Sequence, residues 1–185
     1  MLLSLLILHA CAIVITAVAA VWDLRTGHIP NWLTLPPLVI APVAYFFLFD
    51  AEAALFSILG ALICGVVPYF LFRMKTGSES RKAMHGGDVK LFASLGAMLG
   101  IYSGIEAQFF TVFVAAIYVM ARMAWHGKLL RVLGNSLALV VNPLLPKKRR
   151  KDINPDLLHT IRLGGAIFVG TTIAVALRHP YLFPL

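Results

Sequence analysis

Apolar residues fill this chain in six long runs, roughly residues 2–22, 32–49, 53–72, 89–104, 107–124 and 162–178. Each approaches the ~20 residues that a ~30 Å hydrocarbon core demands of a helix, although the fourth is short. A transmembrane barrel would show short segments of alternating polarity, and none occurs here. The pattern therefore predicts an all-α polytopic integral membrane protein of about six transmembrane helices. The short fourth run implies a helix that starts at the interface in a polar cavity, or a locally thinned bilayer.

The intervals refine this picture. The stretch 125–161 is too long for a turn. Within Leu129–Val141, Arg131, Asn135 and Asn142 fall near one helical face while Leu130, Leu133, Leu137 and Val141 fall on another. That spacing predicts an interfacial amphipathic helix, since Arg131 and Asn135 would penalise a seventh span. Pro143 and Pro146 end it. The first run, Met1 to Ala20, has a lipobox-like Leu8-His9-Ala10-Cys11 and an Ala17-Val18-Ala19-Ala20 ending, but it has no basic region before it and is long enough to span. A retained first helix is expected. No interval is long enough to hold a soluble core, so residues 1–185 are read as a single membrane-embedded domain with a basic loop at 125–161.

Composition agrees: 60% of the 185 residues are hydrophobic and 13% charged, against about 25% charged in soluble domains. The basic residues orient the molecule. Arg25 lies in the first of the alternate loops; Arg73, Lys75, Arg81, Lys82 and Lys90 lie in or beside the second. Nine more, from Arg122 to Arg162, belong to the third, which leaves Arg178 alone on the opposite face. The opposite turns carry Asp50, Glu52 and Glu106. By the positive-inside rule the basic face is cytoplasmic and both termini are outside. The run Lys147-Lys148-Arg149-Arg150-Lys151 reads as a topology determinant attracted to anionic lipid headgroups, with substrate docking as a minor alternative and no nucleic-acid partner expected.

Two acids stand out against this background. Asp23, in Trp22-Asp23-Leu24-Arg25, and Asp88, in His85-Gly86-Gly87-Asp88-Val89-Lys90, each sit where an apolar run meets a basic loop. Both therefore lie at the same, cytoplasmic, boundary. An ionised carboxylate costs several kcal/mol in hydrocarbon, so acids kept at its edge are functional candidates. Two facing one aqueous boundary fit a dyad that shares a proton and activates water. Tandem glycines before Asp88 permit unusual backbone angles and close approach of another chain. The helix following them would favour the ionised aspartate in its first turn. Each acid alone has a structural reading: Asp88 as an N-cap, Asp23 as a helix-end residue in a tight loop that pairs with Arg25.

At these residues the chain resembles the type IV prepilin peptidases, membrane aspartyl proteases with a Gly-x-Gly-Asp motif. The resemblance rests on Asp23-Leu24-Arg25 with Ile29-Pro30-Asn31, on Gly87-Asp88-Val89-Lys90-Leu91, and on the glycine-rich start of the last run, Gly164-Gly165-Ala166-Ile167 to Gly170. It implies that Asp23 and Asp88 are catalytic, with His85, Gly86, Gly87 and Lys90 shaping the site or binding substrate. His85 stands where the family has its first motif glycine. The resemblance further implies a bacterial inner-membrane enzyme that removes a short basic leader from a prepilin, whose hydrophobic helix stays in the bilayer. Longer relatives carry a cysteine-rich zinc segment and methylate the new N-terminus. This chain is similar to the short peptidases of Flp-type pilus systems, for which no methyltransferase activity, metal or cofactor is expected.

The remaining polar residues read as background. Cys11 and Cys64 lie in apolar runs without a Cys-x-x-Cys pair and read as small buried hydrophobes. Lys90 either stabilises an ionised Asp88 or snorkels from a helix end. Gly96-x-x-x-Gly100 suits tight helix packing. The rival class is a proton- or cation-coupled transporter using the same aspartates. Its ionisable residues would be expected near the midplane, whereas these lie at a boundary.

Overall fold

The computed structural model describes residues 2–73, 86–125 and 162–178. His85, the expected interfacial helix and the run Lys147 to Lys151 lie outside the described residues. The five helices are α1 (Leu2–Thr26), α2 (Asn31–Leu48), α3 (Ala51–Arg73), α4 (Gly86–Trp125) and α5 (Gly164–Arg178), and no strand occurs among the described residues. Helices α1 to α4 are long and apolar enough to cross a membrane, while α5 has 15 residues. The chain is thus a polytopic α-helical membrane protein. It divides into two units, Met1–Val114 with Arg162–Leu185 and Ala115–Ile161, and the contacts below all lie within the first.

Helix ends follow local chemistry more closely than hydropathy does. The first apolar run stops at Trp22, yet α1 continues through Asp23, Leu24 and Arg25 to Thr26. None of these residues breaks a helix; Gly27 does, with φ of 69° and its N–H donating to the Asp23 carbonyl at 2.8 Å. A left-handed glycine after the last turn is a common helix stop because it carries no Cβ penalty. Pro30 then fixes an extended backbone (φ −74°, ψ 148°) from which α2 starts at Asn31. Asp50 caps α3, its carboxylate accepting from the Ala53 N–H at 2.7 Å.

The two runs expected at 89–104 and 107–124 are joined as α4, and the break between them is at Gly100 (φ 77°, ψ −179°), not at Ile105–Glu106. The chain reverses there. A Cβ on Gly104 would lie 3.1 Å from the Gly96 Cα, whereas eight residues of unbroken helix span about 12 Å. Gly96 packs on the Gly60 backbone of α3, and a Cβ on Gly96 would lie 2.7 Å from the Cys64 Cβ. Both glycines of the pair read as a packing motif lie against Gly60 of α3, where a Cβ would sit 3.1 Å from the Gly100 carbonyl carbon, and Gly100 also turns the chain.

Polar groups point inward and large apolar ones outward, the arrangement a lipid solvent selects. Thr16, Thr34, Ser57, Ser94, Thr111 and Thr171 are buried, whereas Val39, Phe47, Phe70 and Phe109 are exposed. Backbone groups freed by irregularities are taken up by side chains, as hydrocarbon requires. The break at Gly100 strips the carbonyls before it of their helical donors; Ser57 Oγ donates to the Ala97 carbonyl (2.7 Å) and Tyr45 Oη to that of Met98 (2.9 Å). Pro68 has no N–H to offer the Cys64 carbonyl four residues back, and Gln108 Nε2 donates to it instead.

Candidate active site

Asp23 projects from the last turn of α1 and Asp88 from the first turn of α4, and both are buried, with 5% and 4% of their surface exposed. They lie at one end of the bundle. The link between them is the α1–α2 turn. Ile29, six residues after Asp23, is buried against Gly87, the neighbour of Asp88; a Cβ on Gly87 would lie 3.0 Å from both the Ile29 Cβ and its carbonyl oxygen. Only a glycine lets the first turn of α4 lie this close to the turn that follows Asp23.

The two glycines before Asp88 therefore have different parts. Gly87 allows a close approach. A Cβ on Gly86 would meet nothing nearer than the Phe72 ring at 3.9 Å, an ordinary contact. Neither glycine is left-handed, the positive-φ glycines among the described residues being Gly27 and Gly100. The unusual backbone angles expected of this pair are absent because α4 begins at Gly86, three residues before the apolar run, so both glycines are already helical. Lys90, two residues after Asp88, donates from Nζ to Asn31 Oδ1 at 2.8 Å and so ties α4 to the start of α2.

Asp23 is held by a partner that its own neighbourhood in sequence does not announce. The backbone N–H of Gly164, the first residue of α5, donates to Asp23 Oδ2 at 2.9 Å in a buried hydrogen bond. Arg162 donates to the Leu24 carbonyl, one of the last of α1. Gly164 and Arg162 were missed as site residues; the signal available was the glycine pair that opens the last apolar run. Arg25, expected to pair with Asp23, is exposed. At the far end of the bundle Glu106 and Arg178, assigned by the charge pattern to the opposite face, form an ion pair (3.3 Å).

Two buried carboxyls at one end of an apolar bundle, one of them accepting from the Gly164 backbone N–H, have the components of acid–base chemistry. Comparison with known proteins points the same way. A family model described as the type IV leader peptidase family matches residues 10–120, a stretch that contains Asp23 and Asp88 and stops short of α5. Over 104 residues the chain is 33% identical to the "Prepilin leader peptidase/N-methyltransferase" of Bacillus subtilis (strain 168), a match covering 55% of this chain and 38% of that protein. The chain thus spans well under half the length of that relative. No solved structure matches it.

Proposed function

This chain belongs to the type IV leader peptidase family, and we propose that it is a membrane aspartyl endopeptidase that removes the short basic leader of Flp-type prepilins. Asp23 and Asp88 form its dyad. One carboxylate, ionised, takes a proton from a water molecule as that water attacks the scissile carbonyl. The other, protonated, hydrogen-bonds the carbonyl oxygen, and a proton is then delivered to the leaving amine. Gly86, Gly87 and Lys90 shape the site, Gly87 by bringing the turn of α4 that bears Asp88 against Ile29. The prepilin's hydrophobic helix stays in the bilayer beside the bundle, which holds the peptide bond at the depth of the dyad and converts an encounter in two dimensions into a positioned reaction.

The orientation belongs to the same proposal. With fifteen of sixteen basic residues on the face that carries Asp23 and Asp88, the site opens to the cytoplasm, and the loop 125–161 meets anionic headgroups. One membrane-embedded domain in the bacterial inner membrane carries the whole activity. Of the two activities in the relative's printed name, the peptidase is the one proposed here.

The observation that carries the reading is the burial of both aspartates at one end of an apolar bundle, around a single turn. The test is co-expression with a prepilin and gel analysis of leader removal. Asp23→Asn and Asp88→Asn should each reduce cleavage by at least about a thousandfold, the upper part of the range for loss of a positioned acid or base, with membrane insertion retained. Cleavage near the wild-type rate in either variant refutes the dyad.

A further inference from the structure

The last turn of α1 is held from outside the stretch that the family model covers. Gly164 and Arg162 grip that turn at two points: the Asp23 carboxylate and the Leu24 carbonyl. The fit at the first point is tight. A Cβ on Gly164 would lie 2.7 Å from the Asp23 Cβ, 2.9 Å from its Oδ2 and 3.2 Å from the Ala20 Cα. Non-bonded carbon atoms rest about 3.5–4.0 Å apart, so any side chain here displaces Asp23 or the start of α5 by roughly 1 Å. The neighbouring Gly165 has nothing within 4 Å of its own would-be Cβ. Of two adjacent glycines of one helix, Gly164 thus lies against the last turns of α1 at Ala20 and Asp23, and Gly165 does not.

We propose that residues 162–164 are the positioning element of Asp23. The Gly164 N–H fixes the rotamer of the carboxylate, and Arg162 anchors the segment to the end of α1. Gly164 contacts the carboxylate itself and Arg162 only the backbone beside it; both are assigned an action through Asp23 and not on substrate or water, and the inference rests on the dyad reading given above. A fixed carboxylate is what a dyad needs, because displacement of a catalytic group by about 1 Å costs on the order of a hundredfold in rate. A prepilin held along its hydrophobic helix would not sense that displacement in binding. The expected signature is loss of kcat at unchanged KM.

The test uses the full chain purified in detergent and a prepilin substrate, with kcat and KM measured for wild type, Asp23→Asn, Gly164→Ala, Gly165→Ala and Arg162→Met. Thermal unfolding is measured for each. Gly164→Ala should lose about a hundredfold in kcat with KM within about twofold, while Gly165→Ala stays within about twofold in both. A folded Gly164→Ala protein with kcat within threefold of wild type overturns the inference. So does a Gly165→Ala variant that loses as much as Gly164→Ala, because the effect would then belong to the helix start in general. If Gly164→Ala does not insert, Arg162→Met decides: its side chain is exposed and the variant removes the anchor without adding bulk. A fall in kcat of about fivefold or more at constant KM supports positioning, and wild-type kinetics refute it. A wild type that cuts no prepilin, or an Asp23→Asn protein that cuts normally, sinks the peptidase reading and this inference with it.

Discussion

The bond from Gln108 to the Cys64 carbonyl makes a prediction that separates two reasons for a polar side chain inside a membrane bundle. If Gln108 is there because Pro68 leaves that carbonyl without its helical donor, then Gln108→Met should destabilise the protein only while Pro68 is present. A carbonyl stranded in an apolar interior costs about 1–3 kcal/mol, whereas hydrogen bonds between membrane helices average about 0.6 kcal/mol and reach about 1.7. Methionine has nearly the length of glutamine, so packing changes little. The expected cost of Gln108→Met is therefore about 1–1.7 kcal/mol, at the overlap of those two ranges. In a Pro68→Ala background the restored N–H serves the carbonyl, and the same substitution should cost less than about 0.5 kcal/mol. The assay is reversible unfolding in mixed micelles, followed by tryptophan fluorescence as the denaturing detergent fraction rises. All four corners of the double-mutant cycle are measured. Equal costs in both backgrounds would refute the reasoning, since Gln108 would then act independently of Pro68.

Three further predictions are simpler. Cysteine introduced at exposed His28 should react with an impermeant thiol reagent only from the cytoplasmic side, and cysteine at exposed Glu52 only from the opposite side, in a background with Cys11 and Cys64 replaced; labelling of both from one side would break the orientation. Gly87→Ala should lower the cleavage rate about tenfold, because a Cβ 3.0 Å from Ile29 forces a shift of roughly half an ångström next to Asp88, about half the displacement that costs a hundredfold; a rate within twofold of wild type would show that the turn yields freely. Mass spectrometry of the processed pilin should find an unmethylated N-terminus when this chain is the enzyme supplied, and a 14 Da increment (the mass of one methyl replacing hydrogen) would overturn the peptidase-only proposal.

Hydropathy made the helices legible because lipid leaves so few alternatives: a long apolar run can satisfy its backbone only as a helix. It misplaced their ends where termination depends on something other than apolarity. The apolar run ends at Trp22 and Asp23 reads as a helix-end residue, yet the chain from Asp23 to Thr26 has no reason to leave the helix until Gly27 offers a left-handed stop. A glycine four residues after another in an apolar run reads as a close-contact stripe, and Gly100 does lie against Gly60; its positive φ comes from the reversal of the chain, which no local pattern encodes. The aspartates were legible as charges retained at a boundary. The hold of Gly164 on Asp23 was not, because 141 residues separate the partners and only the fold brings them together.

The short fourth span also has a physical account that neither an interfacial cavity nor a thinned bilayer supplies. Gly86 lies beside Phe72, one residue from the end of α3, and Ala97 lies beside Ser57, six residues from its start. The first leg of α4 therefore begins level with the C-terminal end of α3, and Ala97 lies about 9 Å, six residues at 1.5 Å each, short of the other end. The leg's twelve residues from Gly86 to Ala97 cover about 18 Å. Together these lengths come to about 27 Å, close to the ~30 Å hydrocarbon core. The leg is short because it turns inside the bundle, and an internal turn is possible only if its freed carbonyls find donors other than water. Ser57 and Tyr45 are those donors. What the early turn preserves is the position of the other end: Asp88 stays level with the end of α3, beside the turn that follows Asp23, which is where the proposed function needs a leader peptide to meet both carboxyls.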